Sequence, residues 1–414
     1  MINDFSVARG GATGLTLLSV RKLVDLGFDV TYICGDDGGS ELSELGVSVI
    51  PLASSSLLNS GVTTAMISGL FNNEAYRLLE KYIRENDSTD TVYHVHGWAQ
   101  ILSPSIFRAL DKVKHRVFVH AHDLFLVCPN GGLMDYRENK PCSRAGGSLS
   151  CVTTNCDKRS YLHKLWRLGR YASLSMTLKR AINGFTIVAI HEGVARRVVA
   201  GGYHSENVKV IRNPVVSVFD RESVVSKNDT FFYIGRLQEE KGIRDVLEAA
   251  ITSGAKLCVV GTGILESELR KNYPSVEFLG WRSQEELAKL LLKAKAVIMP
   301  SKYPEPFGLV AAEAICSGIP VIVNDSAFLA EEIQSLDLGL VYNSGFIDDL
   351  TRKIEEFMSM DESTLLDMGN RCKRIGKEIF NNEEVWISQL LKLYRLSISS
   401  GIDAQLELNT VREL

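Results

Sequence analysis

No apolar run in this chain is long enough to cross a membrane. The nearest, Gly184–Ile190, falls far short of the roughly 20 residues a span needs. A secretion signal is not expected either, because Met1–Gly10 is polar and opens Met-Ile-Asn-Asp. The expected setting is the cytoplasm, at most peripheral on the inner face of the membrane. The eight cysteines are therefore read as thiols or metal ligands before disulfides. Positive charge is not in excess: the net charge is −4, which gives no reason to expect nucleic acid as a partner. Cys-x-x-Cys, Asp-x-Asp and any short-period repeat are also missing.

What is present is an ordinary globular balance of 45% apolar and 23% charged residues over 414 positions, long enough for two domains. Short apolar runs alternate with helical periodicity, which predicts βα units and parallel sheets. In the first half, strands are expected near Asp29–Cys34, Ser48–Leu52, Thr91–His96, Val117–Ala121 and Thr186–Ile190. Helices are expected near Gly14–Leu26, Asn73–Glu85, Ser103–Lys112, Tyr161–Asn183 and Gly193–Ala200. The pattern restarts after Asn213–Pro214, with strands at Thr230–Ile234, Ala255–Val260, Val276–Leu279, Ala296–Met299 and Pro320–Val323. Helices there begin near Gly242, Glu266, Ser283, Phe307 and Ala327. The expected organisation is a first domain over 1–210, a second over 211–383, and a helical tail, 384–414, crossing back to the first. Residues 1–210 carry 23 Lys+Arg against 19 Asp+Glu, and the remainder 23 against 31.

In open α/β sheets ligands sit beyond the carboxyl ends of the strands, so chemistry is sought in strand-to-helix loops. Arg9-Gly10-Gly11-Ala12-Thr13-Gly14 precedes an apolar-striped helix; its glycines admit close backbone approach and its helix start offers N–H groups to an anion, or it is simply a tight turn. Gly235-Arg236-Leu237-Gln238-Glu239-Glu240-Lys241-Gly242 sets two cations five residues apart behind a strand. They suit a leaving phosphate, or a solvated charged turn. Gly261-Thr262-Gly263 half-matches a dinucleotide fingerprint, with Glu266 at the third glycine position. Pro304-Glu305-Pro306-Phe307-Gly308-Leu309-Val310-Ala311-Ala312-Glu313-Ala314 puts one glutamate in a loop and another two turns into a helix, amid Ala and Cys, where a carboxylate needs partners.

This last segment resembles the E-x7-E signature of glycosyltransferase family 4. The other loops are similar in order: Gly10-Gly11, Gly235-Arg236 to Lys241-Gly242, Gly261-x-Gly263, Phe278–Trp281, Val210–Pro214 and Gly318-Ile319-Pro320-Val321-Ile322. The resemblance covers nearly the whole chain. It implies a GT-B fold, two doubly wound Rossmann-like domains facing a cleft, and a retaining transferase moving a hexose from a nucleotide-diphospho-sugar to an acceptor hydroxyl. The acceptor would be a sugar or lipid-linked sugar, in cell-envelope or exopolysaccharide synthesis. It implies that Glu313 binds the donor ribose, Glu305 holds the sugar, and Arg236 and Lys241 support the diphosphate with backbone N–H groups at Gly10 and Gly11. Gly235, Gly263, Phe307, Gly308 and Leu309 join the donor site, and His122 is the histidine beside sugar and acceptor. No metal is implied for catalysis, which agrees with the missing Asp-x-Asp. The rivals are a GT-B sugar-nucleotide epimerase and a non-catalytic sugar-nucleotide binder. In two places the chain departs from the pattern: its first strand is confined to about Ile2–Ser6, and Asp325-Ser326-Ala327-Phe328 lacks a glycine.

Two segments remain. Cys128, Cys142, Cys151 and Cys156 share one polar loop that cannot bury much apolar surface. Four thiolates can hold a structural zinc; disulfides, an iron–sulfur cluster or free thiols are the alternatives. Cys34, Cys258, Cys316 and Cys372 read as small core residues. Lys158–Arg180 then combines Lys158, Arg159, Lys164, Arg167, Arg170, Lys179 and Arg180 with Tyr161, Leu162, Trp166 and Tyr171. A basic helix of this kind suits an anionic bilayer through Lys164, Arg167 and Arg170, or is a solvated face.

Overall fold

The computed structural model describes residues 1–57, 62–179, 184–219 and 225–412; Arg180 and the end of the helix expected to reach Asn183 lie outside them. The chain divides into two compact units, one of Met1–Gly131, Arg144–Arg212 and Glu384–Leu414, the other of Gly132–Ser143 and Asn213–Glu383.

The strands up to residue 212 are β1 (Ile2–Asn3), β2 (Thr31–Cys34), β3 (Ser48–Pro51), β4 (Tyr93–Val95), β5 (Val117–Ala121), β6 (Met134–Asp135), β7 (Lys140–Pro141), β8 (Thr186–Ala189) and β9 (Val208–Val210). Seven of them form the first unit's sheet in the order β3-β2-β1-β4-β5-β8-β9. Its pairs are parallel. Helices cover both faces of such a sheet, which is why its inner strands read as unbroken apolar runs: all five residues of β5 are buried. The first strand is even shorter than the sequence suggests, yet it sits mid-sheet, with Ile33 and His96 donating their N–H groups to Met1 and Ile2 carbonyls. Past residue 383, Trp386, Ile387, Leu390 and Tyr394 pack on Leu23, Phe118, Val188 and Ile211.

The second unit carries β10 (Thr230–Ile234), β11 (Lys256–Val260), β12 (Glu277–Gly280), β13 (Ala294–Met299), β14 (Val321–Asn324) and β15 (Gly339–Tyr342). Their order is β12-β11-β10-β13-β14-β15. After β10 the chain winds outward to one side, then returns to pair β13 on the other, so β10 and β13 flank the point where strand order reverses. In the first unit the same reversal falls between β1 and β4. Loops at such a point splay apart and leave room for a ligand.

The differences from the sequence reading lie in a short hairpin and in the end of the second unit. The antiparallel β6–β7 hairpin groups with the second unit, whereas the sequence reading kept residues 128–156 whole in the first domain. Two-residue strands are too short to show a period. Strand β15 and the helices Ile347–Ser359 and Glu362–Ile379 were also not anticipated.

Trp386 is fully buried, and its indole N–H finds no partner among the described residues. Trp386→Ala is expected to cost about 3–5 kcal/mol in urea denaturation. Trp386→Phe should cost well under that, because it removes the unsatisfied donor with the area; equal losses would contradict this account.

Candidate active site

In the second unit the reversal point gathers three of the residues singled out from the sequence, Lys241, Gly242 and Glu305. Gly242 adopts φ 69°, and a Cβ there would stand 1.9 Å from the Pro300 carbonyl oxygen. Only glycine lets the loop after β10 lie this close to the loop after β13. The contact carries Lys241, the preceding residue, to Glu305: Nζ lies 2.9 Å from Oε2 and 2.5 Å from the Tyr303 hydroxyl. Ser301 Oγ donates to the same Oε2 at 2.8 Å. Burial works to raise the Glu305 pKa, but Lys241 and the Ser301 and Tyr303 hydroxyls more than offset it and hold the carboxyl below its usual range. Tyr303 and Ser301 were missed in the sequence, although both flank Glu305 in one loop.

The remaining second-unit residues divide into exposed ligands-in-waiting and backbone spacers. Arg236 is exposed, and its guanidinium makes no hydrogen bond or ion pair among the described residues. Gly261 and Gly263 are spacers: a Cβ on them would meet Gly235 O at 1.9 Å and Leu237 O at 2.4 Å. Gly235 lies beside the Tyr233 ring. Phe307 is buried against Phe380, and Gly308, at φ 74°, caps the helix Leu309–Cys316 without a side-chain bond. Glu313 is on that helix, half-buried, and its carboxylate has no hydrogen-bond or ion-pair partner among the described residues. Burial pushes its carboxyl up to about 7.

In the first unit Gly10 caps the helix Gly11–Asp25, which has no side-chain cap and no acid in its first turn. Gly10, Gly11 and Ala12 are exposed, so the N–H groups of this turn are open to an anion. His122 ends the alternation His120-x-His122 just past β5, facing His94-x-His96 at β4. His96 Nδ1 lies 2.9 Å from His122 Nε2, His94 Nε2 lies 3.1 Å from His120 Nδ1, and Tyr394 OH closes the chain on His94. Burial pushes His122 down to about 3 and its three neighbours well below the usual value, so all four rings are neutral. His94, His96 and His120 each bring a nitrogen within 4.8 Å of the others. Their rings stack with interplanar angles of 35°, 16° and 21°, so their in-plane lone pairs run side by side and do not converge on one ion. His96 as the partner of His122 was missed; the signal was the second His-x-His on an expected neighbouring strand.

Of the four loop cysteines, Cys128, Cys151 and Cys156 belong to the first unit, and their sulfurs do not form a trio within 4.8 Å. All eight cysteines are buried. The basic helix also differs from expectation. Lys164 is fully buried, Arg167 pairs with buried Asp157 at 2.9 Å, and Arg170 reaches the Ala99 carbonyl at 2.6 Å. Lys164 and Arg170 are buried and turned away from any surface, while Arg167 is partly exposed but tied to Asp157.

Residues 218–378 match the family model of glycosyl transferases group 1. HepE of Anabaena, solved with UDP, superposes with TM-score 0.65 at 15% identity over 95% of this chain and 98% of that one. The fold is GT-B. Among curated relatives, glycogen synthase of Mycobacterium tuberculosis is 27% identical over 234 residues, 52% of this chain and 53% of that protein. The chain thus spans about half the length of this relative. An uncharacterised 42.6 kDa protein of the cps region of Klebsiella pneumoniae is 23% identical over 93% of this GT-B chain and 96% of its own. Among the described residues no helix is long and apolar enough to cross a membrane.

Glu313 gives a pH test. Folded, its carboxyl keeps a proton up to about 7, against an ordinary value of 4.5. The folded state binds more protons across that window, so stability falls as pH rises through it. Glu313→Gln should therefore stabilise the ligand-free protein by about 1–3 kcal/mol at pH 8 and by nothing near pH 4; a gap that is flat with pH would overturn the assignment.

Proposed function

We propose that this protein is a retaining glycosyltransferase of the family 4 type, taking a hexose from a nucleotide-diphospho-sugar. The observation that carries the reading is the Lys241–Glu305 pair at the reversal point of the second sheet, with Arg236 in the loop after β10 and Glu313 in the helix Leu309–Cys316 both without a side-chain partner among the described residues. Lys241 and Arg236 are the cations that would take up charge building on the leaving diphosphate. The Glu313 carboxylate would accept hydrogen bonds from ribose hydroxyls, which explains an acid kept half-buried with no partner among the described residues. Glu305, ionised and oriented by Lys241, Ser301 and Tyr303, would hold the sugar hydroxyls. In the retaining scheme the departing phosphate oxygen takes the acceptor proton on the face it leaves, so no enzymic nucleophile is needed. Neutral His122 can hydrogen-bond to sugar without bringing charge. UDP in the related HepE structure, and UDP-glucose in another, support a nucleotide-sugar donor, and the cps-region relative supports polysaccharide synthesis as the setting.

The test is a thermal-shift screen against UDP-, GDP-, ADP- and dTDP-sugars. A donor at 100 times its Kd should add about 2.7 kcal/mol. Lys241→Ala and Arg236→Ala should then lower kcat about 100-fold with KM little changed, while Glu313→Ala raises KM. Full turnover in Lys241→Ala would remove its role, donor conversion without acceptor would favour an epimerase, and inversion at the anomeric carbon would end the retaining reading.

A lipid-linked acceptor remains part of the proposal, on different residues from those first considered. The outward face of the helix Tyr161–Leu178 exposes Leu162, Leu165 and Met176, and the helix Val62–Leu70 exposes Met66 and Ile67. Trp166 Nε1 ties the two by donating to the Met66 carbonyl at 2.8 Å. Such apolar side chains would enter the interface of a bilayer directly. The native protein should co-float with anionic phospholipid vesicles, and Leu162→Ser with Ile67→Ser should abolish it. Native protein that stays in the soluble fraction would refute this contact.

A further inference from the structure

Lys164 is fully buried, yet no carboxylate pairs with it among the described residues. Lysines are almost never fully buried without a charged partner. Its Nζ instead lies 3.0 Å from Cys156 Sγ and 3.4 Å from Cys151 Sγ. The neighbours fix this trio. Asn130 Nδ2 donates to both the sulfur and the carbonyl of Cys156, and Ser148 Oγ accepts from the Cys151 N–H at 3.2 Å. Arg167, one turn beyond Lys164, holds Asp157, the residue after Cys156. Cys151 and Cys156 keep 5% and 4% of their surface exposed, against none for Lys164, so the cysteines are the side of the trio nearest solvent.

We propose that Lys164 and Cys156 form a covalent N–O–S bridge under oxidising conditions, making this loop a reversible redox modification site. Peroxide is the oxidant. One equivalent converts the Cys156 thiol to a sulfenic acid and releases water. The two sulfurs favour the charged form of Lys164, so a second peroxide hydroxylates its amine only after oxidation of Cys156 has removed one of them and the ammonium has released a proton; a second water leaves. Condensation of the S–OH and N–OH groups forms the Sγ–O–Nζ linkage and releases a third. Sulfur and nitrogen each lose an electron pair, and the two peroxides take them up. The held N···S distance favours the amine over bulk solvent as the partner of the oxidised sulfur. Cys151, on the other side of the amine, is the competing thiol.

The test is intact-mass spectrometry of the native full chain after peroxide, then after a thiol reductant. The expected result is a gain of one oxygen less two hydrogens, erased by the reductant. Proteolysis should give a peptide joining Lys164 to Cys156, absent from Lys164→Arg and Cys156→Ser proteins. Loss of two hydrogens alone would mean a Cys151–Cys156 disulfide and would overturn the proposal, as would whole-oxygen gains without a cross-link, or no change. One zinc per chain in the untreated protein, lost in Cys128→Ser, would overturn it too by making these thiols metal ligands.

Discussion

The chemistry of the second unit hangs on a steric constraint. Because residue 242 has no Cβ, the loop after β10 can rest on the Pro300 carbonyl, and only that contact brings an ammonium from one strand end onto a carboxylate from another. The same device recurs one loop further out, where Gly261 and Gly263 let the segment after β11 lie on Gly235 and Leu237. Three strand ends are thus drawn together by backbone contact. Side chains that would otherwise be solvated become a fixed set of charges. Preorganisation of this kind costs nothing at the moment of reaction, since the loops do not have to gather around a ligand.

The two carboxylates illustrate how environment divides labour between identical side chains. Glu305 and Glu313 are one loop and two turns apart, yet one is held below its usual range by a cation and two hydroxyls while burial lifts the other to about 7. The first is kept ionised and fixed in place by protein donors. The second is left wanting donors, which a ligand can bring. In the first unit the opposite strategy holds: four imidazoles are packed ring on ring and kept neutral, supplying hydrogen-bonding capacity without charge.

Much of this was legible from residues alone, for a physical reason. Strands in parallel sheets are buried on both faces, so their apolar runs are sharp, and Arg236, Lys241, Glu305 and Glu313 stand out just beyond them. What stayed hidden depends on side-chain direction. Ser301 and Tyr303 are ordinary residues until a loop turns them onto Glu305. The basic helix misled because charge was counted without phase: Lys164, Tyr171, Leu174 and Leu178 recur at helical spacing on the buried stripe, so Lys164 belongs with the core and Leu162 with the outside. The β6–β7 hairpin, two residues per strand, is below the length at which any period can show.

The chain passes from one unit to the other and back twice, near residues 131, 143, 212 and 383. Neither unit is therefore a single cassette of sequence. A recombination event joining the front of one such gene to the back of another near residue 212 would import a foreign hairpin partner and a foreign terminal helix together. Such a chimaera would fold well only if the hairpin 132–143 and the helix beginning at Glu383 still fitted surfaces supplied by the other parent.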